Sequence, residues 1–254
     1  MFLEKIGQLF ISFIKSIGKV SVFLFKSLFY GLVPPFYWKQ IRNEALQIGY
    51  FSLPVVGLTA IFTGMAFAIQ CYTGFSKFSA ENGIPTVIMI SMVRELGPVL
   101  TALMVAGRLG GSMTASIGTM RVTEQIDAIT TLSVNPYKYL IFPKILAGII
   151  FLPFLVFIDD IIGIFGGYLI CVYNFGFNSS NYIFQTFHYM EFWDVMSGLI
   201  KGAFFGFTIC LMGCYYGFHS NGGAEGVGKA TTNSVVSSSV LILFFDYVLT
   251  LALF

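Results

Sequence analysis

Apolar residues are not spread evenly along this chain. Five stretches stay apolar for about 20 residues or more, the length of helix needed to cross a bilayer core: residues 48–72, 84–107, 139–173, 192–218 and 235–254. Within each, the apolar positions run on continuously rather than alternating. That predicts helices and argues against a membrane barrel, whose strands alternate. The third stretch is long enough to tilt or to break at Pro153.

The first 30 residues follow another rhythm. Glu4, Gln8, Ser12, Lys15, Lys19 and Lys26 fall on one stripe of a helix, with Phe, Ile and Leu elsewhere. This predicts a helix lying in the membrane interface; a sixth span carrying lysines is the alternative. A signal peptide is not expected, because the apolar run is interrupted and no small-residue cleavage site follows. The prolines of "VPPFYW" end this helix. Between spans two and three the pattern predicts a short amphipathic helix over residues 123–134. Thr123 is the expected N-cap, Glu124 lies in the first turn, and Asn135-Pro136 stops the helix. Ile126, Ile129 and Leu132 share one face; Glu124 and Asp127 lie on another. The connection at 174–191, rich in Asn, Phe and Tyr, is expected to re-enter the membrane or skim its surface.

Composition turns this pattern into a class. Of the 254 residues, 56% are hydrophobic and only 10% charged, with a mean hydropathy of +0.82. Soluble domains carry about 25% charged residues, so this chain cannot coat a water-facing globule. The expectation is a single all-α integral membrane domain over 1–254, with an interfacial helix at 1–30 and a five-span bundle at 48–254. No basic run suggests nucleic-acid binding, and no metal or catalytic constellation is apparent; His188 and His219 are isolated. Cys71, Cys171, Cys210 and Cys214 sit in or beside apolar runs and are expected to be small core residues. Glu191 and Asp194 fall at a membrane boundary, where solvated charges are expected.

Lysine and arginine set the orientation. Lys5, Lys15, Lys19, Lys26, Lys39 and Arg42 precede span one. Arg108, Arg121, Lys138 and Lys144 flank the connection between spans two and three, and Lys229 lies between spans four and five. The opposite side has only Lys77. The N-terminus is therefore expected to be cytoplasmic and the C-terminus periplasmic.

Six charges lie inside the spans: Arg94 and Glu95, Asp159 and Asp160, Lys201, and Asp246. Each costs about 2.5–3.5 kcal/mol at mid-membrane, so all six must pair, protonate or face water. Two cations against four acids forbid complete one-to-one pairing. For Asp159 and Asp160 a structural and a functional role both remain open. Pro98 has no N–H to give the carbonyl of Arg94, so the helix is expected to kink there and leave that carbonyl free. Glycines at 198, 202 and 206, at 213 and 217, and at 163 and 167 form stripes that let helices approach closely. They serve either packing within the chain or a homodimer.

Three blocks carry a resemblance: "VRELGPVLTALMVAGRLGGSMTASIG", "GTMRVTEQIDAITTLSVNPYKYLIFPKILA" and "GGAEGVGKATTNSVV". In this order they resemble the MlaE-type permeases, the membrane subunits of ABC transporters that move phospholipids in Gram-negative envelopes. The resemblance implies an inner-membrane subunit with no cofactor of its own, ATP and Mg being held by a partner ATPase. It also implies an MCE-domain lipid-binding protein, a small STAS-domain subunit and a second copy of the chain as partners. By the same resemblance the short cytoplasmic helix couples to the ATPase through Arg121, Glu124, Gln125 and Asp127. Arg94, Glu95, Lys201 and Asp246 would line the lipid cavity.

Two other classes remain as alternatives. A proton-coupled secondary transporter would use the intramembrane acids, but no internal repeat is evident. A membrane-embedded lipid enzyme would need a nucleophile–base or metal set. "GAEGVGK", residues 223–229, fits seven positions of a phosphate-binding loop. Ala230 stands where Ser or Thr is required, and no strand precedes it. A flexible cytoplasmic turn leading into span five is expected instead.

Overall fold

Each apolar stretch forms a helix, because inside a bilayer a helix alone satisfies every backbone group within one segment. The computed structural model describes residues 2–31 and 33–254; for residues 2–7, 9, 10, 12 and 13 it describes the backbone alone. Glu4 and Ser12 of the expected interfacial stripe therefore lie outside the described side chains. Among the described residues, five helical segments are long and apolar enough to cross a membrane: Trp38–Phe78, Glu81–Val122, Tyr137–Asn174, Phe192–Phe218 and Gly223–Leu253. No strand occurs among the described residues.

Before the first span runs α1 (Phe2–Gly31). It reaches the bundle through Phe23 and Ser27, both buried. Phe23 meets Tyr137, Tyr215 and His219 with ring centroids 5.5–5.7 Å apart. Lys15, Lys19 and Lys26 stay exposed. Span one holds an extra helix that its polar residues concealed, α2 (Trp38–Ile48), followed by α3 (Leu53–Phe75). Glu44 of α2 pairs with Lys144 of span three.

Span two is α4 (Ile84–Ser91), a wide π turn at Met92–Leu96, α5 (Gly97–Val105), a second π turn at Ala106–Gly110, and α6 (Gly111–Val122). The first π turn lies just before Pro98 and is how the helix absorbs the missing N–H. Arg108 in the second ties span two to span one, donating to Ser52 Oγ at 2.7 Å.

The short helix between spans two and three, α7, spans Gln125–Thr131, shorter than expected. Thr123 does not cap it; its hydroxyl instead donates to the carbonyl of Thr119 at the end of α6. Glu124 takes the N-cap position in a left-handed conformation, φ 57°, with no side-chain capping bond. The turn between the two helices is too tight for Thr123 to close one and open the next. α7 ends before Asn135-Pro136, and Asn135 Oδ1 instead accepts from the N–H of Tyr137 at the start of span three.

Span three contains a π turn at Tyr137–Ile141 followed by α8 (Phe142–Leu169), unbroken through Pro153. The far-side connection holds α9 (Ser179–His188), capped by Asn178, whose Oδ1 accepts from Ser180 N and Asn181 N. Spans four and five are α10 (Phe192–Phe218) and α11 (Gly223–Leu253). The expected flexible turn at 223–229 is instead the start of α11. The change of direction occurs at Gly222 and Gly223, with φ 94° and 68°. Ala224, Glu225 and Lys229 favour helix, and Glu225 sits at the positive end of its dipole.

The centre of the bundle is α8 packed against α3 and α10 at backbone distance. A Cβ on Gly64 would lie 1.9 Å from Gly163 O, and one on Gly206 would lie 2.2 Å from Gly148 O. The glycine stripes of spans three and four thus serve packing within the chain. All four cysteines are free and buried, as expected.

Candidate functional site

The charges of spans two, four and five meet at one place. Lys201 is completely buried. Its Nζ donates to Glu95 Oε2 at 2.8 Å and to the carbonyl of Arg94 at 2.9 Å. That carbonyl is the one Pro98 leaves free, so the kink site and the cation satisfy each other. Nζ also lies 2.9 Å from Asp246 Oδ1, an ion pair off the direction of a hydrogen bond. Thr250 Oγ1 is 3.1 Å from Glu95 Oε1 and closes the group from α11.

Arg94 does not join Lys201's carboxylates. Its Nε and Nη2 reach Asp194 Oδ1 at 2.6 and 2.5 Å, and its guanidinium lies 4.2 Å from the ring centre of Phe254. The expectation of a solvated Asp194 is therefore wrong. Asp194 is 1% exposed. It shares a capping box with Glu191 at the start of α10, where the helix dipole also favours an acid. A sequence signal existed: Glu and Asp three apart before an apolar run form a reciprocal capping pair, which turns the second acid inward.

Burial grades the site. Lys201 and Asp194 are inaccessible, Asp246 is 20% exposed, Arg94 30% and Glu95 41%. One edge is thus open and the rest is locked. The open edge offers both a guanidinium and a carboxylate, a pair that can bind a polar headgroup beside apolar walls.

Asp159 and Asp160 stand apart from this cluster. Both are buried, neither is in an ion pair, and the Oδ1 of each lacks a hydrogen-bond partner among the described residues. Asp160 Oδ1 abuts Gly97, where a Cβ would meet it at 1.9 Å.

At α7, Arg121 and Asp127 bond at 2.7 Å while both remain substantially exposed. Glu124 and Gln125 are exposed beside them. Of the apolar face, Ile126 is buried against the bundle and Ile129 half-buried, whereas Leu132 is 75% exposed. The helix is fixed to its own bundle by one side and leaves the other unpartnered. No group of three or more His, Cys, Asp or Glu able to hold a metal occurs among the described residues.

Five apolar helices around a charged cluster define a multi-pass membrane protein with a polar site inside its bundle. Residues 41–252 match the family model described as Permease MlaE. The chain belongs to the MlaE permease family. It is 53% identical over 247 residues to a probable ABC transporter permease protein of Rickettsia bellii, covering 97% of this chain and 95% of that one. It is 32% identical over 255 residues to the intermembrane phospholipid transport system permease protein MlaE of Haemophilus influenzae, covering 100% and 97%. A chloroplast protein of Arabidopsis thaliana named for trigalactosyldiacylglycerol is 37% identical over 214 residues, covering 84% of this chain and 61% of that one. The chain is a transport subunit rather than an enzyme.

Proposed function

We propose that this chain is the membrane-spanning subunit of an ATP-driven transporter that moves phospholipids between the inner and outer membranes of a bacterial envelope. The observation that carries this reading is the Arg94–Asp194 and Lys201–Glu95–Asp246 cluster, open at one edge within an apolar bundle. An amphiphile needs both environments at once: apolar walls for its chains and paired charges for its head. The names of the Rickettsia and Haemophilus relatives agree with it.

In this reading ATP is hydrolysed on a separate ATPase that grips α7 through Arg121, Glu124, Gln125 and Asp127. A second copy of the chain covers α11, whose apolar stretch is only 11% buried within one chain against 61% for α10. That second copy would complete the cavity over Glu95 and Asp246. An MCE-domain protein and a small STAS-domain subunit complete the assembly, and α1 lies in the interface of the inner membrane.

Asp127→Lys tests the coupling without touching a span. The variant is expected to insert and accumulate normally. ATP-driven lipid movement by the reconstituted complex should fall about tenfold, the effect of roughly 1.4 kcal/mol lost at the contact. Transport and ATPase association at the wild-type level would remove α7 from the mechanism.

The lysine bias places the N-terminus inside the cell and the C-terminus outside. Because the native cysteines are buried, introduced ones report alone. Asn82→Cys is expected to react with an impermeant thiol reagent on intact cells, and Asn221→Cys only after permeabilisation. The reverse pattern would invert the topology.

A further inference from the structure

Apart from the charged cluster, a cavity lies between α8 and α9. It measures about 670 Å³ and is walled by α8, roofed by α9 and closed at its base by Val93 and Val195. That is a normal size for a small-ligand site. Phe157, Ile161, Phe165 and Phe187 in its lining are exposed on the outer surface of the bundle. The walls are almost wholly hydrocarbon and aromatic ring, with Asp160 as the one acid among them.

Asp160 is what makes this more than a crevice. It is 5% exposed, and no described group donates to either of its oxygens. The nearest polar neighbour on its own helix, Asp159, is a like charge and turns toward Thr101 on span two. A buried polar group without a partner is costly in any membrane protein. Asp160 lies nine residues before the end of α8, about 14 Å deep along the helix. A group that satisfies it must come through an apolar passage, and so must itself be attached to an apolar chain.

We propose that this cavity binds a long-chain amphiphile with a small hydrogen-bond-donating end, an alcohol or an amine, held at Asp160. The chain lies between α8 and α9, past Ile164 and Tyr168, while the donor reaches the carboxyl group. The site shares the Met92–Leu96 turn with the charged cluster: Val93 lines this cavity, while Arg94 and Glu95, the next two residues, belong to the cluster. It does not depend on the phospholipid reading above.

The test uses the full chain in membrane vesicles with its co-expressed partners. The probes are diazirine-bearing hexadecanol and hexadecylamine and the corresponding methyl ether, which has no donor. Adducts are mapped by mass spectrometry. The alcohol and the amine are expected to label residues 157–168 and 182–190 about fivefold more than the ether, the effect of one net hydrogen bond. Asp160→Leu should erase that preference. Asp160→Asn, which keeps an acceptor, should retain it for the alcohol. Ile183→Trp, placed on the partly exposed roof, should reduce labelling by all three probes while leaving adducts beside Glu95 unchanged. Equal labelling by donor and non-donor probes would overturn the proposal. So would labelling that Ile183→Trp does not alter, or labelling seen in parallel vesicles holding this chain alone but lost with its co-expressed partners, which would assign the groove to a protein helix.

Discussion

Lys201→Met is expected to abolish accumulation of the folded chain, whereas Glu95→Gln should leave it folded and stop lipid transport. The contrast follows from burial. Methionine fills the space of lysine but leaves Glu95 and Asp246 without their cation and the Arg94 carbonyl without its donor. Removing one partner of a buried ion pair costs about 3–5 kcal/mol, a large part of a typical folding stability of roughly 5–15 kcal/mol. Glu95 is 41% exposed, and glutamine still accepts from Lys201 and Thr250, so the fold survives while the open edge loses its charge. The two readouts are the yield of monodisperse protein from membranes and ATP-driven lipid movement. If Lys201→Met accumulates and transports like wild type, the cluster neither holds the bundle together nor serves the lipid. If Glu95→Gln transports normally, the carboxylate has no part in handling the headgroup.

Gly206→Val is the second large effect, and it is steric. A Cβ at 206 would sit 2.2 Å from Gly148 O and 3.0 Å from Leu152 Cβ. Neither can yield cheaply, since one is backbone in the central helix. Overpacking typically costs about 1–3 kcal/mol, and a branched side chain against a carbonyl belongs at or above the top of that range. The variant is expected to be degraded in cells and, where recovered, to lose protease resistance across spans three and four. Gly74→Ala, with nothing within 4 Å of its added Cβ, should behave as wild type. Normal protease resistance in Gly206→Val would mean that α8 and α10 are not in backbone contact.

The five spans were legible because bilayer thickness imposes a length that composition alone reveals. The vacant carbonyl beside Pro98 was legible too, because it follows from the chemistry of one residue. What took the carbonyl was not. A sequence gives depth along each helix, but not which depths coincide, and Lys201 reaches Arg94 across 107 positions. The same blindness hid Glu44 with Lys144 and Arg94 with Asp194. Asp194 looked solvated because its distance from the end of an apolar run was read as its distance from water. The early start of α11 was missed for a related reason. Glycines at 223, 226 and 228 weaken helix locally, but a helix already committed to crossing the bilayer extends through them. Neither π turn of span two leaves a mark in its composition.

Lys201 also limits what the site can hold. An ammonium has three N–H bonds, and three protein oxygens already stand within 2.9 Å of this one. Two of its N–H bonds go to Glu95 and the Arg94 carbonyl, and the Asp246 carboxylate crowds the third. An incoming phosphate cannot bind it without expelling a carboxylate, and the buried nitrogen offers no path for the exchange. Arg94, partly exposed and with a face still open, is then the cation an anion meets first. Two cations confront three carboxylates here, so an arriving phosphate meets net repulsion unless it carries a positive group of its own. Charge balance alone thus favours a zwitterionic guest over a purely anionic one.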